Sequence, residues 1–136
     1  EVHAAVRAEL ALLNVDLAGI VLKPNMVIEG DGHGSSSTPE EVADATVAVL
    51  RSWPGDLAGV AFLSGGQDPD RATDNLAAMQ RHSTPWPLTF SFGRALVSPA
   101  LSAWRGDPDR RSEGQATLLS RVRANGAAAS LRAALR

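Results

Sequence analysis

The sequence predicts an α/β fold: a helix, three strand–loop–helix units, then C-terminal helices, about the last three units of a (β/α)8 barrel. Three observations predict it. Short apolar runs alternate with segments of helical period along the whole chain. "GVAFL", Gly59 to Leu63, is apolar throughout, as a parallel strand buried on both faces is. Every candidate for chemistry follows such a run, at the end where barrels collect their active-site residues. A doubly wound sheet would show the same alternation; the third observation favours the barrel.

The elements follow in order. Val2, Val6, Leu10 and Leu13 recur at helical spacing, which predicts a first helix. The run Gly19 to Leu22 reads as a strand, and Lys23, held extended by Pro24, ends it. "GDGHGSSS", Gly30 to Ser37, reads as a flexible loop. Thr38, Pro39 and Glu41 form a capping box with proline in the first turn, opening a helix to about Arg51. Gly59 to Leu63 is the second strand, and Asp68-Pro69 opens a helix to about Arg81. Pro87 to Phe92, "PLTFSF", is the third strand. Ser98-Pro99 is expected to start a helix to Trp104, and Asp107-Pro108 a longer one to about Arg123. Asn125-Gly126 is expected to stop that helix, with a separate helix over Ala127 to Leu135.

Composition narrows the function. At 136 residues, 44% hydrophobic and 21% charged, the chain suits one globular domain or a piece of one. A net charge of -2 and only 4% aromatic residues argue against nucleic acid as a partner. The absence of cysteine removes disulfides, thiolate metal sites and cysteine nucleophiles. No apolar run approaches the ~20 residues of a membrane span. "EVHAAVRAEL" has no apolar core of a signal peptide and no methionine, so the cytoplasm and a longer parent chain are the expectations. His3, His33 and His82 show no ligand spacing, so no metal is assigned. Trp53, Trp86 and Trp104 read as core or packing residues, and Ser35 to Ser37 as a loop tract without a Ser-His-Asp arrangement.

Positive charge comes almost wholly from arginine: twelve of the thirteen basic residues. The exception is Lys23. Lysine, unlike arginine, loses its proton when buried or crowded, and the neutral amine forms a Schiff base with a carbonyl. Alone, Lys23 also reads as a surface lysine at a strand end. Its neighbours favour chemistry. Ser64-Gly65-Gly66 ends the second strand and offers backbone N–H groups to an anion without side-chain obstruction. Ser91 with Gly93-Arg94 ends the third, and Arg94 adds a planar cationic fork. A glycine pair can be only a turn, and an arginine only a solvated side chain. A solitary lysine and a phosphate cradle on one rim point to a lysine enzyme acting on a phosphorylated carbonyl compound. Asn25 and Glu29 can reach that rim or serve as loop caps.

The stretches "LKPNMV", "FLSGGQ", "LTFSFGRAL" and the following "AW", in that order, resemble the C-terminal portion of a class I fructose-bisphosphate aldolase over essentially the whole chain. The resemblance implies a (β/α)8 barrel that cleaves fructose 1,6-bisphosphate reversibly, without metal or other cofactor, to dihydroxyacetone phosphate and glyceraldehyde 3-phosphate. It implies Lys23 as the Schiff-base residue. It places Ser64, Gly65, Gly93 and Arg94 at the phosphate on the dihydroxyacetone side; Ser91 lies in the same motif, and Gly66 completes the cradle. It implies a homo-oligomer for the complete enzyme. Residues 1–136 then form the C-terminal portion of one barrel domain, truncated at both ends. The family's acid/base carboxylates fall outside this stretch, and its C-terminal tyrosine has no counterpart, since the chain contains no tyrosine. A transaldolase is disfavoured by the paired phosphate-side motifs; the other alternative is a non-catalytic remnant that binds sugar phosphate or a partner protein.

Overall fold

A computed structural model describes residues 1–134. Three short parallel strands, β1 (Val21–Leu22), β2 (Gly59–Phe62) and β3 (Leu88–Phe90), form one sheet in sequence order. Val21 pairs with Gly59, and Phe62 with Phe90. The helices are α1 (Val2–Leu12), α2 (Pro39–Leu50), α3 (Pro69–Met79), α4 (Arg94–Trp104) and α5 (Arg111–Ala134). Each of β1, β2 and β3 is followed by a helix, which gives the predicted α/β sector of a barrel.

The local causes are visible. Every residue of β2 is buried, as its unbroken apolar run requires. The Thr38 hydroxyl accepts from the Glu41 N–H at 3.3 Å, and the Glu41 carboxylate accepts from the Thr38 N–H at 2.8 Å, completing the capping box of α2. Asp68 caps α3 by accepting from the Asp70 and Arg71 N–H groups. Val42, Val47 and Leu50 of α2, Val60 and Phe62 of β2, and Leu76 and Met79 of α3 fill the core with Trp86. Trp53 is also buried; Trp104 is 40% exposed.

Four boundaries differ from expectation. β1 starts at Val21, because Asp16 caps a 3-10 turn over Leu17–Gly19. β3 ends at Phe90, before Ser91 and Phe92. α4 starts at Arg94, with Gly93 at its N-terminal boundary, and carries Pro99 inside. The proline that reads as a helix start is in the second turn, where it forfeits one backbone hydrogen bond. Finally, α5 runs unbroken through Asn125-Gly126. Asn125 is fully buried; its amide donates to the Arg121 carbonyl at 2.8 Å and accepts from the Thr73 hydroxyl at 3.0 Å. That tertiary anchoring outweighs the ~1 kcal/mol a mid-helix glycine costs. The expected separate helix over Ala127 to Leu135 is thus the end of α5, with Leu135 outside the described residues.

Candidate active site

The C-terminal ends of the three strands are fastened to one another. The Leu63 N–H donates to the Pro24 carbonyl at 2.9 Å, joining the β1 end to the β2 end. The Ser91 N–H donates to the Phe62 carbonyl at 2.8 Å, joining β2 to β3. Lys23, Ser64 and Ser91 therefore follow their strands on one edge of the sheet.

Beyond β2 the chain turns sharply. The Gln67 N–H donates to the Ser64 carbonyl at 3.1 Å, with φ of +61° at Gly65 and +86° at Gly66. Positive φ at both central residues is the type I′ arrangement, which selects glycine. Among the described residues no internal hydrogen bond uses the Gly65 or Gly66 N–H. Two side chains border this turn. Asn25 Oδ1 lies 3.4 Å from where a Cβ on Gly65 would stand, and Arg94 Nη2 lies 3.6 Å from the corresponding point at Gly66.

Arg94 gets there because α4 begins immediately after β3. The helix has no side-chain cap, so its first N–H groups are left for solvent or a ligand. A cavity of about 460 Å³ lies between the two strand ends, lined by Asn25, Leu63, Ser64, Gly65, Ser91, Gly93 and Arg94. An adjoining one of about 280 Å³ includes Gly66, Gln67, Arg94 and Ser98. Of the residues singled out by sequence, Ser64, Gly65, Ser91, Gly93 and Arg94 share the first cavity, and Gly66 lies in the second. Lys23 is exposed one residue beyond β1 and lines neither. Neither its side chain nor that of Arg94 makes an ion pair or internal hydrogen bond among the described residues. A helix N-terminus, free glycine N–H groups and a free guanidinium together suit a doubly charged oxyanion.

The carboxylates around the rim are engaged elsewhere. Glu29 pairs with Arg71 at 2.6 Å and accepts from the Ser37 N–H at 3.2 Å. The Arg71 hydrogen bond above all holds the Glu29 carboxyl down at about 2. Asn25 therefore joins the site and Glu29 closes the loop 30–37 instead. Sequence reasoning passed over Gln67 and Asn75. Gln67 Nε2 donates to the Ser64 carbonyl at 2.9 Å, and Gln67 Oε1 accepts from Asn75 Nδ2 at 2.6 Å. The "SGGQ" run contained the first half of that signal; the second half is eight residues away, on α3.

The family model described as class I fructose-bisphosphate aldolase matches residues 1–133. This chain belongs to the class I fructose-bisphosphate aldolases. A Drosophila melanogaster fructose-bisphosphate aldolase is 48% identical over 131 residues, 94% of this chain and 36% of the relative. The Rattus norvegicus aldolase C is 47% identical over 95% of this chain and 36% of its own length. A chloroplastic Arabidopsis thaliana aldolase is 44% identical over 85% of this chain and 30% of its own, so one compartment does not define the family. Among solved structures, the Plasmodium falciparum aldolase, in a complex with TRAP and a small-molecule inhibitor, superposes with a TM-score of 0.81 at 39% identity. That match covers 88% of this chain and 35% of the Plasmodium chain. The aldolase segment thus spans about a third of the relatives it matches, and its three parallel strands with their helices are a sector of the family's barrel.

Proposed function

We propose that this segment supplies the Schiff-base lysine and one phosphate site of an enzyme that cleaves fructose 1,6-bisphosphate, as the C-terminal portion of a single barrel domain. The observation that carries this is the approach of Arg94 to Gly66. Arg94 lines both cavities beside this turn, at the strand ends where Lys23 follows β1.

In this reading the phosphate on the dihydroxyacetone side rests on the N–H groups of Gly65, Gly66, Gly93 and Arg94, with the Arg94 guanidinium and the Ser64 and Ser91 hydroxyls around it. The Lys23 amine adds to the substrate ketone, and water leaves as the C–N double bond forms. The protonated imine then accepts the electron pair of the C3–C4 bond, while a carboxylate takes the C4 hydroxyl proton and the aldehyde triose departs. The resulting enamine is protonated at C3, and hydrolysis returns Lys23 and dihydroxyacetone phosphate. Among the described carboxylates, Glu29 is held by Arg71, and Asp16 and Asp68 serve as caps; in this reading none of the three takes the proton. The base comes from another strand of the barrel.

The test is reductive trapping in the full-length protein that carries this segment. Borohydride with dihydroxyacetone phosphate should attach the triose to Lys23, read by peptide mass, and Lys23→Arg should abolish both trapping and turnover, since guanidinium forms no imine. Turnover by Lys23→Arg would remove the lysine from the mechanism.

A further inference from the structure

A relay of two amides, one buried and one partly buried, runs from α3 to the glycine turn. Asn75 has no solvent exposure, and its Nδ2 donates to Gln67 Oε1 at 2.6 Å. The Ser64 carbonyl can only accept, so the Gln67 amide presents Nε2 to it and leaves Oε1 to accept from Asn75. Gln67 Nε2 is thereby directed to the Ser64 carbonyl at 2.9 Å and to the Met26 sulfur at 3.4 Å. The same carbonyl accepts the Gln67 N–H that closes the turn. The side chain of Gln67 therefore locks both ends of the turn whose two central residues have positive φ. Met26, on the segment after Lys23, is drawn into the same lock and is itself buried.

We propose that Gln67 and Asn75 are positioning residues for phosphate recognition: they hold the Ser64–Gln67 turn in the shape that leaves the Gly65 and Gly66 N–H groups facing no internal acceptor. This rests on the reading of that turn as a phosphate cradle. A glycine pair is by nature mobile, since it populates both signs of φ about equally. Glycine permits the shape, and the amide relay selects it. The free energy of ordering the turn is then met on folding instead of on binding, which is how preorganisation raises affinity. Neither residue needs to touch the ligand.

The experiment compares two ketones in the full-length protein, dihydroxyacetone phosphate and unphosphorylated dihydroxyacetone, each scored by the concentration giving half-maximal borohydride trapping. Gln67→Met keeps the side-chain length and loses both amide bonds; Asn75→Leu keeps bulk and loses the donor to Gln67. Each should lower the preference for the phosphorylated ketone about tenfold, the scale of a net hydrogen bond. The double variant should be no worse than either single one, because the two residues act in series. A variant that lowers the melting temperature while keeping the wild-type preference would show a merely structural role and overturn the proposal. Should Asn75→Leu not fold, Gln67→Met, whose side chain is only partly buried, decides alone. Arg94→Ala is measured in parallel. If it leaves the preference unchanged, the cradle reading itself fails; if it lowers the preference and Gln67→Met does not, only the relay fails.

Discussion

Arg94 and Arg71 lie on either side of the same glycine turn, and only Arg71 is paired. Arg71 is committed to Glu29 at 2.6 Å, whereas Arg94 has no partner among the described residues. In the proposed reading Arg94 is kept free for the phosphate, so Arg94→Ala in the full-length protein should weaken phosphorylated substrates by about 1.5–3 kcal/mol. Unchanged KM and kcat would remove Arg94 from the site. The Glu29 pair makes a different prediction. Its carboxyl is lowered from 4.5 to about 2, first by the Arg71 hydrogen bond. A depressed carboxyl contributes stability that is present above the unfolded value and lost as pH falls through the folded one. The melting-temperature gap between wild type and Glu29→Gln should therefore be constant above about pH 5 and close between about pH 4.5 and pH 2. A gap that ignores pH over that window would show that the ion pair contributes nothing.

At the scale of elements, what could be read in advance was what neighbouring residues decide. Thr38 with Glu41, and Asp68 with Pro69, announced α2 and α3, because cap and capped N–H lie within three residues of each other. The glycine turn after β2 was legible for the same reason, since "SGGQ" holds its own glycines, whereas the end of β3 and the start of α4 came earlier than "SFGRALVSP" suggested. Pro99 and Asn125-Gly126 misled because their fate is set by other elements. Asn125 stays helical through Thr73 of α3, and Arg121 beside it reaches Asp70, the Pro69 carbonyl and Thr73. The Gln67–Asn75 relay was hidden likewise, since nothing local distinguishes a buried amide from a solvated one. Gly114 shows the same dependence. A Cβ there would stand 2.8 Å from Trp104 Cβ and 3.3 Å from the Ala100 carbonyl. Glycine to alanine inside a helix ordinarily stabilises by about 1 kcal/mol. Here the α4–α5 contact reverses the sign, and Gly114→Ala should destabilise by about 1–2 kcal/mol in denaturant melts. A gain in stability would show that the two helices are not packed that closely.

At the scale of the whole molecule, the fold leaves apolar surface that its own elements do not cover. α1 buries none of its residues, and Val2 and Leu12 on it and Leu13 just after it are exposed by 70% or more. A hydrogen bond of 2.8 Å from Trp53 Nε1 to His3 Nδ1 ties it to the residues after α2. Val21 on β1 is 52% exposed, and Leu101 on α4 equally so. Among the described residues, β1 and β3 each pair on one side only. Open parallel edges and bare helix faces recruit other chains. In the barrel proposed above, neighbouring strands and helices would cover them. Residues 1–136 expressed alone should therefore associate, seen as a mass above 14.2 kDa by light scattering, and should bind the dye that reports exposed apolar surface. Chemistry should fail with the packing. In the proposed reading Lys23 and the phosphate cradle are present, but a general acid or base contributes about 10²–10⁴-fold, and among the described residues Glu29 is held by Arg71 and Asp16 and Asp68 are caps. The isolated segment should cleave fructose 1,6-bisphosphate at least about a hundredfold more slowly than the full-length protein. A folded 14.2 kDa monomer turning over at the full-length rate would show that these three strands are a complete enzyme and that the missing base is among their own residues.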